Sequence, residues 1–152
     1  MKKFRFSLQA VFTVLQQREQ AALEVYAKAI TERERAAERL AEAQRQCQEA
    51  WDFNRQRVMS GSSAAQLTQA GQYSVRAKDH QERRAEALRR TQQVVDGALK
   101  TLLEARRSRE AVDKFRARQQ ERYNRESQRE EQKVIDDLAQ HAGVADEQTG
   151  WN

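Results

Sequence analysis

Residues 22–50 read ALEVYAKAITERERAAERLAEAQRQCQEA, and the spacing of alanine in this stretch decides the fold. Ala22, Ala29, Ala36, Ala43 and Ala50 recur every seventh residue, and the same lane reaches back through Leu15 to Leu8. A seven-residue apolar period marks helices that wind around a partner helix. The chain has no proline to interrupt it. A chain built this way offers no pocket, so its function must lie in what its surface and its ends touch.

Two more lanes run beside the first. One holds Phe12, Tyr26, Leu40 and Cys47; the other holds Leu23, Ile30, Ala37 and Trp51. On a helical wheel the three lanes are contiguous, which predicts one stripe buried against one partner. Arg33, Gln44 and Asn54 interrupt it, and such polar breaks weaken packing while fixing register. The stripe stops near Met59. Ser60-Gly61-Ser62-Ser63 is the interior cluster of small turn residues, and Gly71 follows. These signals predict a hinge over about residues 60–72, with room for a short helix at Ala64–Ala70 capped by Ser63.

Helical lanes resume from about Tyr73. They are Leu88, Val95, Leu102 and Tyr123; Thr91, Ala98, Ala105 and Val112; and Ala87, Val94 and Phe115. Gly97 lies among them, where it costs about 1 kcal/mol against alanine and suggests a close approach of the first helix. Weaker periodicity continues through Val134, Ile135 and Leu138 to Gly143. The resulting expectation is all-α: a long antiparallel two-helix coiled-coil hairpin, forming a single elongated domain. Its parts are a helix over about 7–59, the hinge, a helix over about 73–141 and a frayed tail at 143–152. At 1.5 Å per residue the helices span roughly 75–105 Å. Folding at the hinge pairs positions whose numbers sum to about 130, placing Trp51 near residue 79, Leu40 near Thr91, Tyr26 near Glu104 and Leu15 near Phe115. A parallel dimer of one broken helix is the alternative.

Composition fits. Of 152 residues, 38% are apolar and 34% charged, too few apolar groups for a compact core of this length. Sustained periodicity argues against the disorder that such hydrophilicity would otherwise suggest. The net charge of +5 comes from interleaved acids and bases. A single cysteine forms no internal disulfide and points to a reducing compartment. No run of 18 apolar residues exists to span a membrane, and the N-terminus lacks a signal-peptide core. The reading is cytoplasmic.

Catalytic chemistry finds no footing. There is no glycine-rich phosphate loop, His80 and His141 lie far apart, and Asp136 and Asp137 point in different directions on a helix. Cys47, on the apolar stripe, reads as a small buried residue. The expectation is a non-enzyme with no cofactor and no metal. Basic runs at Arg83-Arg84, Arg89-Arg90, Arg106-Arg107-Arg109 and Lys114-Arg116-Arg118 raise the question of nucleic acid. Interspersed Glu82, Glu86, Glu104, Glu110 and Asp113 and the scarcity of aromatics favour a solvated face instead.

The two ends carry a further pattern. Phe4-Arg5-Phe6-Ser7-Leu8-Gln9-Ala10-Val11, followed by Leu15 and Arg18-Glu19, resembles the opening of the FliJ family. Arg129-Glu130-Glu131-Gln132-Lys133 with Asp136-Asp137-Leu138-Ala139 resembles its close, and Thr91-Gln92-Gln93-Val94, Ala98-Leu99-Lys100 and Leu67 to Tyr73 resemble its middle. The resemblance implies a component of the flagellar type III export apparatus, peripheral to the inner face of the cell membrane. Its hairpin would look like the coiled coil of a rotary ATP synthase gamma subunit. Its partners would be the hexameric export ATPase, the export-gate membrane protein and export chaperones. The two helical stripes around a single Ser/Gly break predict a monomer.

By the same resemblance, the ATPase-binding end falls on Phe4, Phe6, Leu8, Phe12, Leu15, Arg122, Tyr123, Arg125, Arg129 and Lys133. The gate-binding surface falls on Gln44, Cys47, Trp51, Tyr73, Ala77 and His80, with Gln44 and Ala77 standing where the family tends toward aromatics. Cys47 and Trp51 also lie on the expected seam and have a packing reading. Two other functions remain open at this point: a virulence-type secretion stalk of the same architecture, and a basic coiled-coil module for nucleic acid or scaffolding.

Overall fold

A computed structural model describes residues 3–147, with side chains to residue 141. It is all-α, with two long helices folded into an antiparallel hairpin: α1, Gln9–Met59, and α2, Ala64–Glu147. The described chain divides into two units. One is Arg18–Ala105; the other joins the residues up to Gln17 to those from Arg106 onward.

The turn between the helices is closed by caps at both sides. Gly61 takes a left-handed φ of 72°. The Ser62 N–H donates to the Arg57 carbonyl at 3.3 Å and the Gly61 N–H to the Val58 carbonyl at 3.4 Å, the paired bonds that end a helix at a glycine. On the other side Ser63 caps α2. The Gln66 N–H donates to Ser63 Oγ at 3.4 Å, and the Ser63 N–H donates to Gln66 Oε1 at 3.1 Å. This reciprocal Ser-x-x-Gln box satisfies two donors that a helix start leaves orphaned.

The chain therefore turns within Ser60–Ser63, and the expected hinge over about 60–72 is corrected. Residues 64–70 are the first turns of α2, and the helix runs on through Gly71. One glycine costs about 1 kcal/mol in a helix, too little to stop one that is already capped. The same reasoning applies at Gly143, where the expected end near 141 is replaced by a helix running to Glu147. The remainder of the expected tail, 148–152, lies outside the described residues.

A shorter turn changes the register. In the unit Arg18–Ala105, Ala50 faces Ser74, and Ala29 packs in a cluster with Val95 and Ala98, beside Tyr26 and Ile30. Paired numbers thus sum to about 124–127, several residues short of the expected 130. The expected pairings of Trp51 with 79 and Leu40 with Thr91 shift accordingly. Phe115 meets Phe6 in the other unit, where Leu15 had been expected.

Burial follows two lanes of α1. Ala22, Ala29, Ala36, Ala43 and Ala50 are all buried, as are Phe12 and Cys47 in the second lane. The third lane does not join them. Leu23, Ala37 and Trp51 are exposed, and Ile30 is only half-buried. A two-helix pair covers one narrow seam, whereas a wider stripe needs a third neighbour. In α2, Val95 and Ala98 are buried and Leu88, Thr91, Leu102, Ala105, Val112 and Tyr123 half-buried, while Val94 and Phe115 are exposed. Gly97 does not serve close approach, because a Cβ there would meet nothing within 4 Å.

Candidate functional site

In the unit containing the N-terminal residues, aromatic rings fasten the segment before α1 to α2. Phe4 packs on Tyr123 with ring centroids 5.6 Å apart, and Phe6 on Phe115 at 6.2 Å, both tilted. The Arg116 guanidinium lies 6.0 Å over the Phe6 ring and 5.6 Å over Phe12, a cation–π arrangement that joins both rings to one arginine. Lys3, Phe4, Arg5, Gln119, Arg122, Tyr123 and Glu126 line an open groove. Three of those side chains are cations and one is a carboxylate, so the groove favours an acidic surface.

The expected ATPase-binding residues separate on this geometry. Phe4, Arg122 and Tyr123 come together at the groove. Phe6 and Phe12 are buried and pack the unit. Leu8 is exposed and Leu15 half-buried. Arg125 is ion-paired with Glu121, while Arg129 and Lys133 are exposed. Every residue from 128 to 141 is exposed, including Val134, Ile135 and Leu138. Arg116 was missed as a packing residue. It lies on the lane of Leu88, Val95, Leu102 and Tyr123, and that seven-residue spacing was the signal that could have found it.

In the unit Arg18–Ala105, a second surface lies beside the turn. Trp51 is 43% exposed and Tyr73 54%, large for rings of this kind, and Phe53, Val58 and Met59 are exposed as well. A groove there is lined by Phe53, Arg57, Gln66, Gln69, Ala70 and Tyr73, with the Arg57 guanidinium 5.0 Å over Phe53. Of the expected gate-binding residues, Gln44, Trp51, Tyr73 and His80 are exposed. Cys47 is buried on the seam and Ala77 half-buried. The burial of Cys47 agrees with its packing reading, since the seven-residue lane that carries it faces α2. Phe53 was missed, since it falls on none of the three lanes.

Several arginines in the basic runs of α2 are ion-paired on their own helix. Arg83 pairs with Asp79 at 2.7 Å, Arg89 and Arg90 with Glu86 at 2.5 and 3.3 Å, and Arg106 with Glu110 at 3.0 Å. The hydrogen bond from Arg89 holds the Glu86 carboxyl below its ordinary range, with the charges of Arg89 and Arg90 adding to it. The bond from Arg106 does the same to Glu110. Pairing lowers the positive field that these arginines present to a phosphate backbone.

Among the described residues no cluster of His, Cys, Asp and Glu could hold a metal ion, and no helix is long and apolar enough to cross a membrane. No curated protein and no solved structure matches the chain. A family model does match, over residues 4–147, and its description is Flagellar FliJ protein. That span takes in the aromatic-fastened residues, the capped turn and, Lys3 apart, the lining of both grooves, and on it the chain belongs to the FliJ family, whose place is in flagellar protein export.

Proposed function

We propose that this protein is a non-enzymatic stalk of the flagellar export apparatus, a single elongated domain working as a monomer in the cytoplasm at the inner face of the membrane. The end carrying Phe4, Leu8, Leu15, Arg122, Tyr123, Arg125, Arg129 and Lys133 enters the hexameric export ATPase. The surface beside the turn, with Gln44, Trp51, Tyr73, Ala77 and His80, meets the export gate and export chaperones.

The observation that best supports this reading is the cationic groove around Phe4 and Tyr123. Lys3, Arg5 and Arg122 stand around a ring pair held in place by packing. A preorganised aromatic contact ringed by cations suits an acidic protein surface, with charge guiding encounter and the ring supplying affinity. Phe6, Phe12 and Arg116 support that end from within.

The test is co-purification of the full chain with the purified export ATPase at 50 mM and 500 mM salt. Binding at low salt that weakens at high salt is expected, because exposed charges are screened over about 10 Å at 0.1 M. No complex at either salt would contradict the proposal.

A further inference from the structure

The alanine lane that brings the helices together cannot say which turn of one faces which turn of the other. Ala22, Ala29, Ala36, Ala43 and Ala50 are the same residue at a seven-residue period. The facing lanes of α2 keep the same period. Slipping α2 by one heptad puts Leu88, Val95 and Leu102 opposite Ala43, Ala36 and Ala29, so over the middle of the seam apolar groups again face alanine. Polar groups at the seam specify register in helix pairs of this type, at some cost in stability.

The sequence also supplies two places to turn. Ser60-Gly61-Ser62-Ser63 is used in the structure, and Gly71 is not. A one-heptad slip would take residues 64–70 out of α2 and into the connection, ending it at Gly71. The sequence pattern alone favours a register close to that longer one.

Beside the caps that close the short turn, one buried polar group bonds across the seam in this register and not in the slipped one. Ser74 is 0% exposed. Its hydroxyl lies 3.1 Å from the Ala50 carbonyl across the seam and 3.1 Å from the Ala70 carbonyl of its own helix. Ala50, also 0% exposed, and Ala70 are small enough for the backbones to approach to that distance. In the slipped register Ala50 would face Gln81, and the cross-helix bond would have no counterpart.

We propose that Ser74 is a register latch, selecting the short-turn hairpin by donating its hydroxyl hydrogen to the Ala50 carbonyl of α1. The hydroxyl has one hydrogen and two acceptors within reach. When the cross-helix bond opens, the Ala70 carbonyl takes the hydrogen, as serine commonly bonds four residues back in a helix. Release strands no buried group, so the latch holds one register without freezing the pair.

The native Cys47 reports the register. It sits three residues before Ala50 on the buried seam, at the level of Ala77, three residues after Ser74. In the slipped register it would instead face Arg84. Full-length Ala77→Cys and Arg84→Cys proteins, each with and without Ser74→Ala, are equilibrated in a glutathione redox buffer. The intramolecular disulfide is then measured in the monomer fraction. With Ser74 present, the 47–77 disulfide should dominate. Ser74→Ala removes only the hydroxyl and should raise closure of 47–84 relative to 47–77 about fivefold, the population change one net hydrogen bond carries. A ratio that stays within twofold overturns the latch. Failure of 47–77 to close in the presence of Ser74 overturns the register and the latch together.

Discussion

Ala50 shows how a single side chain sets the spacing of this hairpin. It is fully buried opposite Ser74, and any larger group would push the two helices apart. Ala36, buried in the same lane, is less tightly enclosed. Ala36→Leu should destabilise the protein by about 1–3 kcal/mol through overpacking. Ala50→Leu should fall at the upper end of that range. Thermal melts decide it, and an unchanged midpoint for both would place the lane in solvent. Gly97 gives the opposite sign. A Cβ there meets nothing within 4 Å and the backbone is helical, so Gly97→Ala should stabilise by about 0.5–1 kcal/mol. A lowered midpoint would mean that α1 approaches Gly97 more closely than the structure has it.

The helices and their turn were legible in the sequence to different depths. The existence of α1 and α2 followed from heptads alone, because seven-residue spacing over many turns has one cheap explanation. Ser63 was readable as a cap, but its partner Gln66 makes the box strong enough to begin α2 at Ala64. Gly71 read as a break because glycine is a weak helix former, yet one weak residue between a good cap and a buried seam is carried along. The register error is the arithmetic consequence of that lengthened hinge. Gly61 is the element's other fixed point: with φ at 72°, Gly61→Ala should destabilise by about 1–2 kcal/mol, read as a lower denaturation midpoint. Equal stability would mean that the turn relaxes to another geometry. Beside the turn, Trp51→Ala and Tyr73→Ala should leave helicity and melting near wild type, since neither ring is buried in the seam, while weakening binding to the export gate. Lost melting stability with normal binding would make them structural instead.

For the whole molecule, sequence and structure contribute unequally to the proposed function. The sequence named the candidate residues but could not separate exposed side chains from packed ones. Phe6 and Phe12 look as available as Phe4 until Arg116 and Phe115 are seen to cover them. Cys47 looks as available as Trp51 until the narrow seam takes one and leaves the other. That division depends on which lanes a second helix reaches, and two-helix packing is narrower than an apolar stripe. The proposed single elongated domain predicts a monomer that scatters X-rays with a radius well above that of a compact 17.7 kDa protein; a compact particle would contradict the proposal. The most direct measurement is the rate of ATP hydrolysis by the purified export ATPase with and without this protein. The account predicts stimulation by the wild-type chain, and loss of most of it when residues 1–10 are deleted or when Arg122→Glu and Arg125→Glu are combined in a variant that remains helical. Full stimulation by both variants would contradict it.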